Sequence, residues 1–307
     1  MVDPSQGATL ERALPEHGGR VNLAFDLDEI GRRVGYPLYL KPFDGGQWRG
    51  VSRAGGPEEL RRGYDESGEQ LMHLQAAVDG FDVFARSLTI GAETKVMWFE
   101  PHRPLHDRYQ VRHDFLPREL GFEVETISKL VNAFFRWEFN SCESLVCGGE
   151  VFPIDYANAS PDVALTSLHY YFPWAITALV RWCAFCLANG RRMRIDVDAR
   201  PWFEIGDRED STYDEKLHAY RGLADEYFEA DAYAEFCAGP LRHLDDAAHE
   251  WFSSVDFDRV LVDTVRATFP AREHEQFVAH YRGLLAAWAA DAVRAQSPRT
   301  QSAERRP

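Results

Sequence analysis

At 307 residues, 45% of them apolar and 13% aromatic, the chain is long enough to bury one large core or two ordinary ones, which excludes a disordered polymer. A net charge of -15 excludes the electrostatic footprint of a nucleic-acid binder and opposes an anionic membrane surface, so any phosphate must be held locally. Five cysteines, odd in number and irregular in spacing, are no disulfide framework and point to a reducing compartment, the cytoplasm.

The opening heptapeptide, Met1-Val-Asp-Pro-Ser-Gln-Gly, shows no basic region followed by an apolar one, so no secretion signal is expected there. Residues 1–35 read as a polar, glycine-rich lead-in with a short amphipathic helix over 23–34 stopped by Gly35. From residue 36 short β runs alternate with helical stretches. Strands are predicted over 37–41, 50–54, 71–77, 82–90, 95–100, 141–146 and 151–156, and helices over 57–67 and 126–135. This is an α+β pattern with antiparallel hairpins.

The apolar run over 172–189 carries Arg181 and opens with Phe-Pro-Trp, which reads as a buried helix rather than a membrane span. Helical period then dominates, with helices predicted over 174–187, 213–236, 241–252, 257–268 and 272–295 before a polar tail. The division by texture is a lead-in over 1–35, a sheet-bearing domain over 36–190, an all-helical region over 191–295 and a disordered tail over 296–307.

Two stretches carry chemistry. Lys41 ends an apolar strand and precedes Pro42-Phe-Asp44-Gly45-Gly46, where glycines let backbone fold closely around an anion while the ammonium supplies a point charge. Glu143 and Asp155 flank the turn Cys147-Gly148-Gly149-Glu150, so antiparallel pairing brings both carboxylates to one end of a sheet. With the carboxamide of Asn158 they form a hard-oxygen set suited to Mg2+, which keeps waters and takes its remaining ligands from phosphates. Between the two, Gln75-Ala-Ala-Val78-Asp79-Gly80-Phe81-Asp82 offers backbone edges and acids that suit a nucleoside.

Lys41-Pro with its glycine-rich loop, the segment from Gln75 to Asp82, and Glu143, Asp155 and Asn158-Ala-Ser-Pro161, in this order, resemble the ATP-grasp superfamily over residues 20–165. The members of that superfamily include D-alanine–D-alanine ligase, glutathione synthetase and the ribosomal-protein glutamate ligases, and the resemblance is to the last two types. The resemblance implies an ATP-grasp-like fold with an antiparallel sheet, ATP and Mg2+ as cofactors, and carboxylate–amine ligation through an acylphosphate. Small-molecule carboxylate and amine substrates follow, with no nucleic acid and no membrane. The alternative is a regulatory nucleotide-binding relative that works through a partner.

Carried over residue by residue, Lys41 meets the nucleotide phosphates beneath a loop containing Asp44, Gly45 and Gly46. Gln75 and the backbone near Val78 meet adenine, Asp82 meets ribose, and Glu143, Asp155 and Asn158 hold Mg2+. Arg112 and Arg136, with Arg86 and Arg108, are the candidates for γ-phosphate or an acidic substrate. The family pattern ends acid-x-Asn, whereas Asp155-Tyr-Ala-Asn158 is one residue longer, so either a β-bulge absorbs the extra position or Asn158 is no ligand. The family's usual upstream lysine and N-terminal α/β domain have no counterpart, which suggests a shortened product, a protein partner, or helices that take over that role.

Smaller constellations read as structural. Cys183 and Cys186, beside Trp182 and Phe185, suggest buried thiols. His243, His249, Glu250, His274 and His280 lack the spacing of metal ligands on a helix face. Ser167 and His169 either touch substrate or belong to an aromatic cluster at the joint between sheet and helices.

Overall fold

The computed structural model describes residues 25–296 except 45, 47, 69, 159, 193, 196 and 197. The chain divides into two compact units, Met1–Gly80 and Phe81–Pro307. Residues 1–24 of the lead-in expected over 1–35, and residues 297–307 of the tail expected over 296–307, lie outside the described residues.

In the first unit, helix α1 (Leu27–Val34) starts where the Asp26 carboxylate accepts from Asp28 N and Glu29 N at 2.9 and 3.1 Å. It ends at Gly35, whose φ of 95° is open to glycine at little cost. Strand β1 (Leu38–Pro42) lies between β2 (Ser52–Ala54) and β3 (Met72–Ala76) in an antiparallel sheet, with helix α2 (Pro57–Glu66) between β2 and β3 in sequence. Alternation sends Leu38 and Leu40 into a core with Leu27, Ala54, Leu60, Tyr64 and Met72. Tyr39 and Lys41 therefore stand on the opposite face, where their cross-strand partners are Gln75 and His73.

The second unit is built on a five-stranded antiparallel sheet in the order β6-β5-β4-β7-β8. Its strands are β4 (Val83–Ile90), β5 (Glu93–Phe99), β6 (Tyr109–Gln110), β7 (Phe139–Cys147) and β8 (Glu150–Asn158). Gly148 and Gly149, at φ 58° and 85°, make the β7–β8 turn, since two successive positive φ values match the twist of a tight hairpin. Helix α3 (Arg118–Phe135) starts about two turns before the expected helix and covers one sheet face, packing Val124 and Leu120 on Val83, Ala85, Trp98 and Val146. The buried amide of Asn140 beneath it donates to Asn132 Oδ1 at 2.8 Å and to Tyr156 O at 3.1 Å.

After the single turn α4 (Leu165–Leu168), the helices are α5 (Phe172–Ala188), α6 (Arg200–Gly206), α7 (Tyr213–Tyr227), α8 (Ala230–Ala238), α9 (Leu244–Phe252), α10 (Val255–Thr268) and α11 (His274–Gln296). The helix expected over 213–236 is two helices, because Glu229 takes a left-handed φ of 53°. Arg191 holds that break by donating to Tyr227 O at 2.8 Å and pairing with Glu229.

Leu165–Ala188 has the length and composition of a membrane span. In the fold, α5 buries Ala175, Ala178, Trp182 and Phe185, and its Arg181 pairs with Glu93 and Asp245. All five cysteines are free. Cys183 is exposed and Cys186 half-buried, which corrects the expectation of a buried pair: Trp182 and Phe185 take the inward side of α5.

Candidate active site

The sheet face not covered by α3 carries the residues of interest. Arg86 on β4 lies opposite Glu143 on β7, and Glu143 lies opposite Asp155 on β8. One row along, Leu88 lies opposite Ser141, and Ser141 opposite Asn158. Cross-strand partners in an antiparallel pair project to the same face, so Arg86, Glu143, Asp155, Ser141 and Asn158 form one polar cluster.

The spacing along β8 is informative. Register shifts occur on both sides of Glu143, so the residues of β8 opposite Leu145, Glu143 and Ser141 are Phe152, Asp155 and Asn158, three apart rather than two. Each shift inserts one unpaired residue into β8. The longer Asp155-Tyr-Ala-Asn158 sequence is thus accommodated by a bulge, and both side chains keep the same face. β8 is an edge strand, which tolerates Pro153 as well as the bulges.

Arg86 Nη1 lies 3.2 Å from Glu143 Oε1, with about a fifth of each side chain exposed, and its Nη2 reaches Ser141 Oγ at 3.4 Å. The guanidinium stands 4.9 Å from the Phe99 ring centroid and 6.0 Å from that of Tyr109. Its Nε–H is buried and meets no acceptor among the described residues. Asn158 Nδ2 donates to Ser141 Oγ at 3.1 Å, leaving its amide oxygen as the atom suited to a cation. Asp155 is exposed on the edge strand and accepts from Ala157 N at 3.5 Å. Two carboxylates and one carboxamide on a single face fit Mg2+, which asks few ligands of a protein.

The remaining candidates are placed as follows. Arg112 stacks 4.0 Å from the Trp98 ring centroid, and Trp98 belongs to the face under α3. Arg136 closes the C-terminus of α3, where it donates to Ala133 O and lies 5.2 Å from the Tyr227 ring centroid. Arg108 donates its Nε–H to Arg103 O at 3.0 Å, and of the four candidates it is Arg86 that the register sets opposite Glu143. The Asp82 carboxylate accepts from Gly148 N at 3.2 Å and so steadies the β7–β8 turn.

In the first unit, Lys41 and Gln75 share a sheet face, and β3 is an edge strand with a backbone side not used by β1. Val78 follows it, half-buried. Asp44 and Gly46 line an open groove of about 340 Å³ with Pro42, Arg49, Gly50 and Gln70. Lys41 is absent from that lining because it projects to the other side of β1 from Pro42. Gly45 lies outside the described residues.

Ser167 donates to Ala164 O at 3.1 Å, and His169 is 2% exposed, packed near Tyr109 and His280. Burial and the nearby His280 push the His169 imidazole down to about 4, so it stays neutral at pH 7. Burial pushes the Cys142 thiol under α3 up to about 12, which makes it an inert core group and no nucleophile.

No family model matches the chain, and no curated protein matches it. Among solved structures, it is similar to the D-alanine–D-alanine ligase of Bacillus anthracis complexed with ATP, at 18% identity and a TM-score of 0.38, with 50% of each chain covered. The D-alanine–D-alanine ligase of Helicobacter pylori matches at 16% identity and 0.35, with 48% of each chain covered. The biotin carboxylase domain of the Hydrogenobacter thermophilus 2-oxoglutarate carboxylase, complexed with MgADP, ADP and bicarbonate, matches at 18% and 0.36, over 45% of this chain and 34% of that one. The match spans about half the length of the two ligases and about a third of the carboxylase domain.

Proposed function

We propose that the chain binds ATP with Mg2+ and joins a small carboxylate to a small amine. A carboxylate oxygen attacks the γ-phosphorus and releases ADP; the amine then attacks the acyl carbon and releases phosphate. The observation that carries this reading is the β4–β7–β8 register, which sets Arg86, Glu143 and Asp155 in one row with Asn158 and Ser141 in the next. A cluster of two carboxylates, a carboxamide and an arginine on one face is what Mg2+-bound phosphate requires.

Glu143, Asp155 and Asn158 would hold Mg2+, whose contribution when bound is to offset charge on the β- and γ-phosphates. Arg86 aligns an anionic oxygen through its unsatisfied Nε–H and releases Glu143 to the cation. The roles of Lys41, Asp44, Gly45 and Gly46 toward phosphate, of Gln75 and Val78 toward adenine, and of Asp82 toward ribose belong to the same proposal. So does a cytoplasmic setting, where the five free cysteines are stable.

Thermal stability with ATP, ADP, GTP or no nucleotide, each with and without Mg2+, tests it, because a ligand that binds only the folded state raises the midpoint. A Mg2+-dependent rise with adenine nucleotides, lost in Glu143→Gln and Lys41→Ala, is expected. No rise at millimolar nucleotide removes the proposal.

A further inference from the structure

Arginine supplies nearly all the cations of this chain, which has lysine at four positions only. Three of the four are engaged: Lys129 pairs with Asp225 at 3.1 Å, Lys216 donates to Gly206 O at 2.7 Å, and Lys41 has a partner of its own. Lys95 differs. It lies on β5 opposite Leu88, which places it on the same sheet face as Arg86 and Glu143, one register row away. Its row runs Lys95, Leu88, Ser141, Asn158; the neighbouring row runs Met97, Arg86, Glu143, Asp155.

The Lys95 ammonium stands 5.6 Å from the Trp174 ring centroid, on α5, and among the described residues no carboxylate lies within ion-pair distance of it. The nearest acid in sequence, Glu93, is already occupied: Arg181 donates to both its oxygens at 3.2 Å, and the Tyr233 hydroxyl donates to it as well. Arg181 is in turn held by Asp245. Burial draws the Lys95 amine below its ordinary value, with Glu93 opposing only in part. A half-buried cation whose nearest acid is already paired with an arginine carries a desolvation cost that a bound anion would relieve.

On the same face the buried Nε–H of Arg86 meets no acceptor among the described residues. Diagonal neighbours on adjacent strands are about 7–8 Å apart at the backbone, so the two cations are separate points rather than one pocket. We propose that Lys95 holds a second anionic group of the carboxylate substrate, so that the site takes a dicarboxylic acid. The reacting carboxylate sits at Arg86, and the distal one sits at Lys95 against the Trp174 ring. This rests on the ligase reading above and adds the substrate class to it.

The test compares binding of succinate, glutarate and adipate with that of butyrate and valerate, by calorimetry on the full chain. It uses the wild type, Lys95→Met, which keeps the stem without the charge, and Lys95→Arg. At least one dicarboxylate should bind the wild type about tenfold more tightly than either monocarboxylate, as one charge-assisted contact provides. That preference should vanish in Lys95→Met and return in Lys95→Arg, which a merely structural role for the stem would not reproduce. No preference in the wild type, or a preference retained by Lys95→Met, overturns the proposal. MgATP is titrated separately into the wild type: a Lys95-dependent dicarboxylate preference without nucleotide binding would sink the ligase reading and leave the Lys95 site standing.

Discussion

Acidification should loosen the second unit through His169. This imidazole is buried between Tyr109 and His280, and its folded value is about 4 against an ordinary 6.5. A histidine held neutral in the fold but free to charge when unfolded contributes stability that is fully present above pH 6.5. That stability declines as pH falls from there toward 4. Between pH 7.5 and 5 the proton taken up only by the unfolded chain costs about 2 kcal/mol, and near pH 4 about 3. His106, likewise lowered, acts in the same direction.

Urea unfolding of the wild type and of His169→Asn at both pH values isolates the effect, because most carboxylates remain ionised at pH 5. The wild type should lose about 2 kcal/mol more than the variant over this interval. If the two lose the same within about 0.5 kcal/mol, or if the ring titrates near 6.5 by NMR, the reasoning fails.

Gly91→Ala should destabilise the second unit by about 2–4 kcal/mol, read as a lowered urea midpoint, because its φ is 55° and an added Cβ would overlap the Trp182 indole. Leu40→Ala, which empties a fully buried position in the first unit's core, should cost about 2–5 kcal/mol, visible as early loss of amide protection over β1 and β3. Arg86→Ala should weaken MgATP binding at least tenfold, whereas Arg112→Ala, stacked on Trp98 under α3, should leave the dissociation constant within about twofold. Equal losses in the two arginine variants would contradict the division of the sheet into a covered and a functional face.

How much of this is legible in the sequence depends on the distance over which each feature is decided. The β7–β8 hairpin is readable because Gly148-Gly149 sits between apolar runs, so the approach of Glu143 to Asp155 follows from local turn chemistry. The choice of Arg86 over Arg112 and Arg136 is not readable, since it rests on pairing between strands more than fifty residues apart. The bulges at Glu143 are legible only as one residue too many before Asn158. The first turns of α3 are missed because Gly121 and the charges of Arg118-Glu119 weaken the helical pattern, while tertiary packing of Leu120 and Val124 sustains it. The break at Glu229 has no local breaker; Arg191, far away in sequence, holds it.

The most direct measurement is a calorimetric titration of ATP into the full chain, with Mg2+ and with EDTA, for the wild type, Glu143→Gln and Asp155→Asn. The account predicts binding of MgATP by the wild type, weakening at least tenfold on chelation and in both variants. Binding that is indifferent to Mg2+ and to both substitutions would contradict the claim that the β7–β8 carboxylates hold the metal, and no binding at all would contradict the nucleotide site itself.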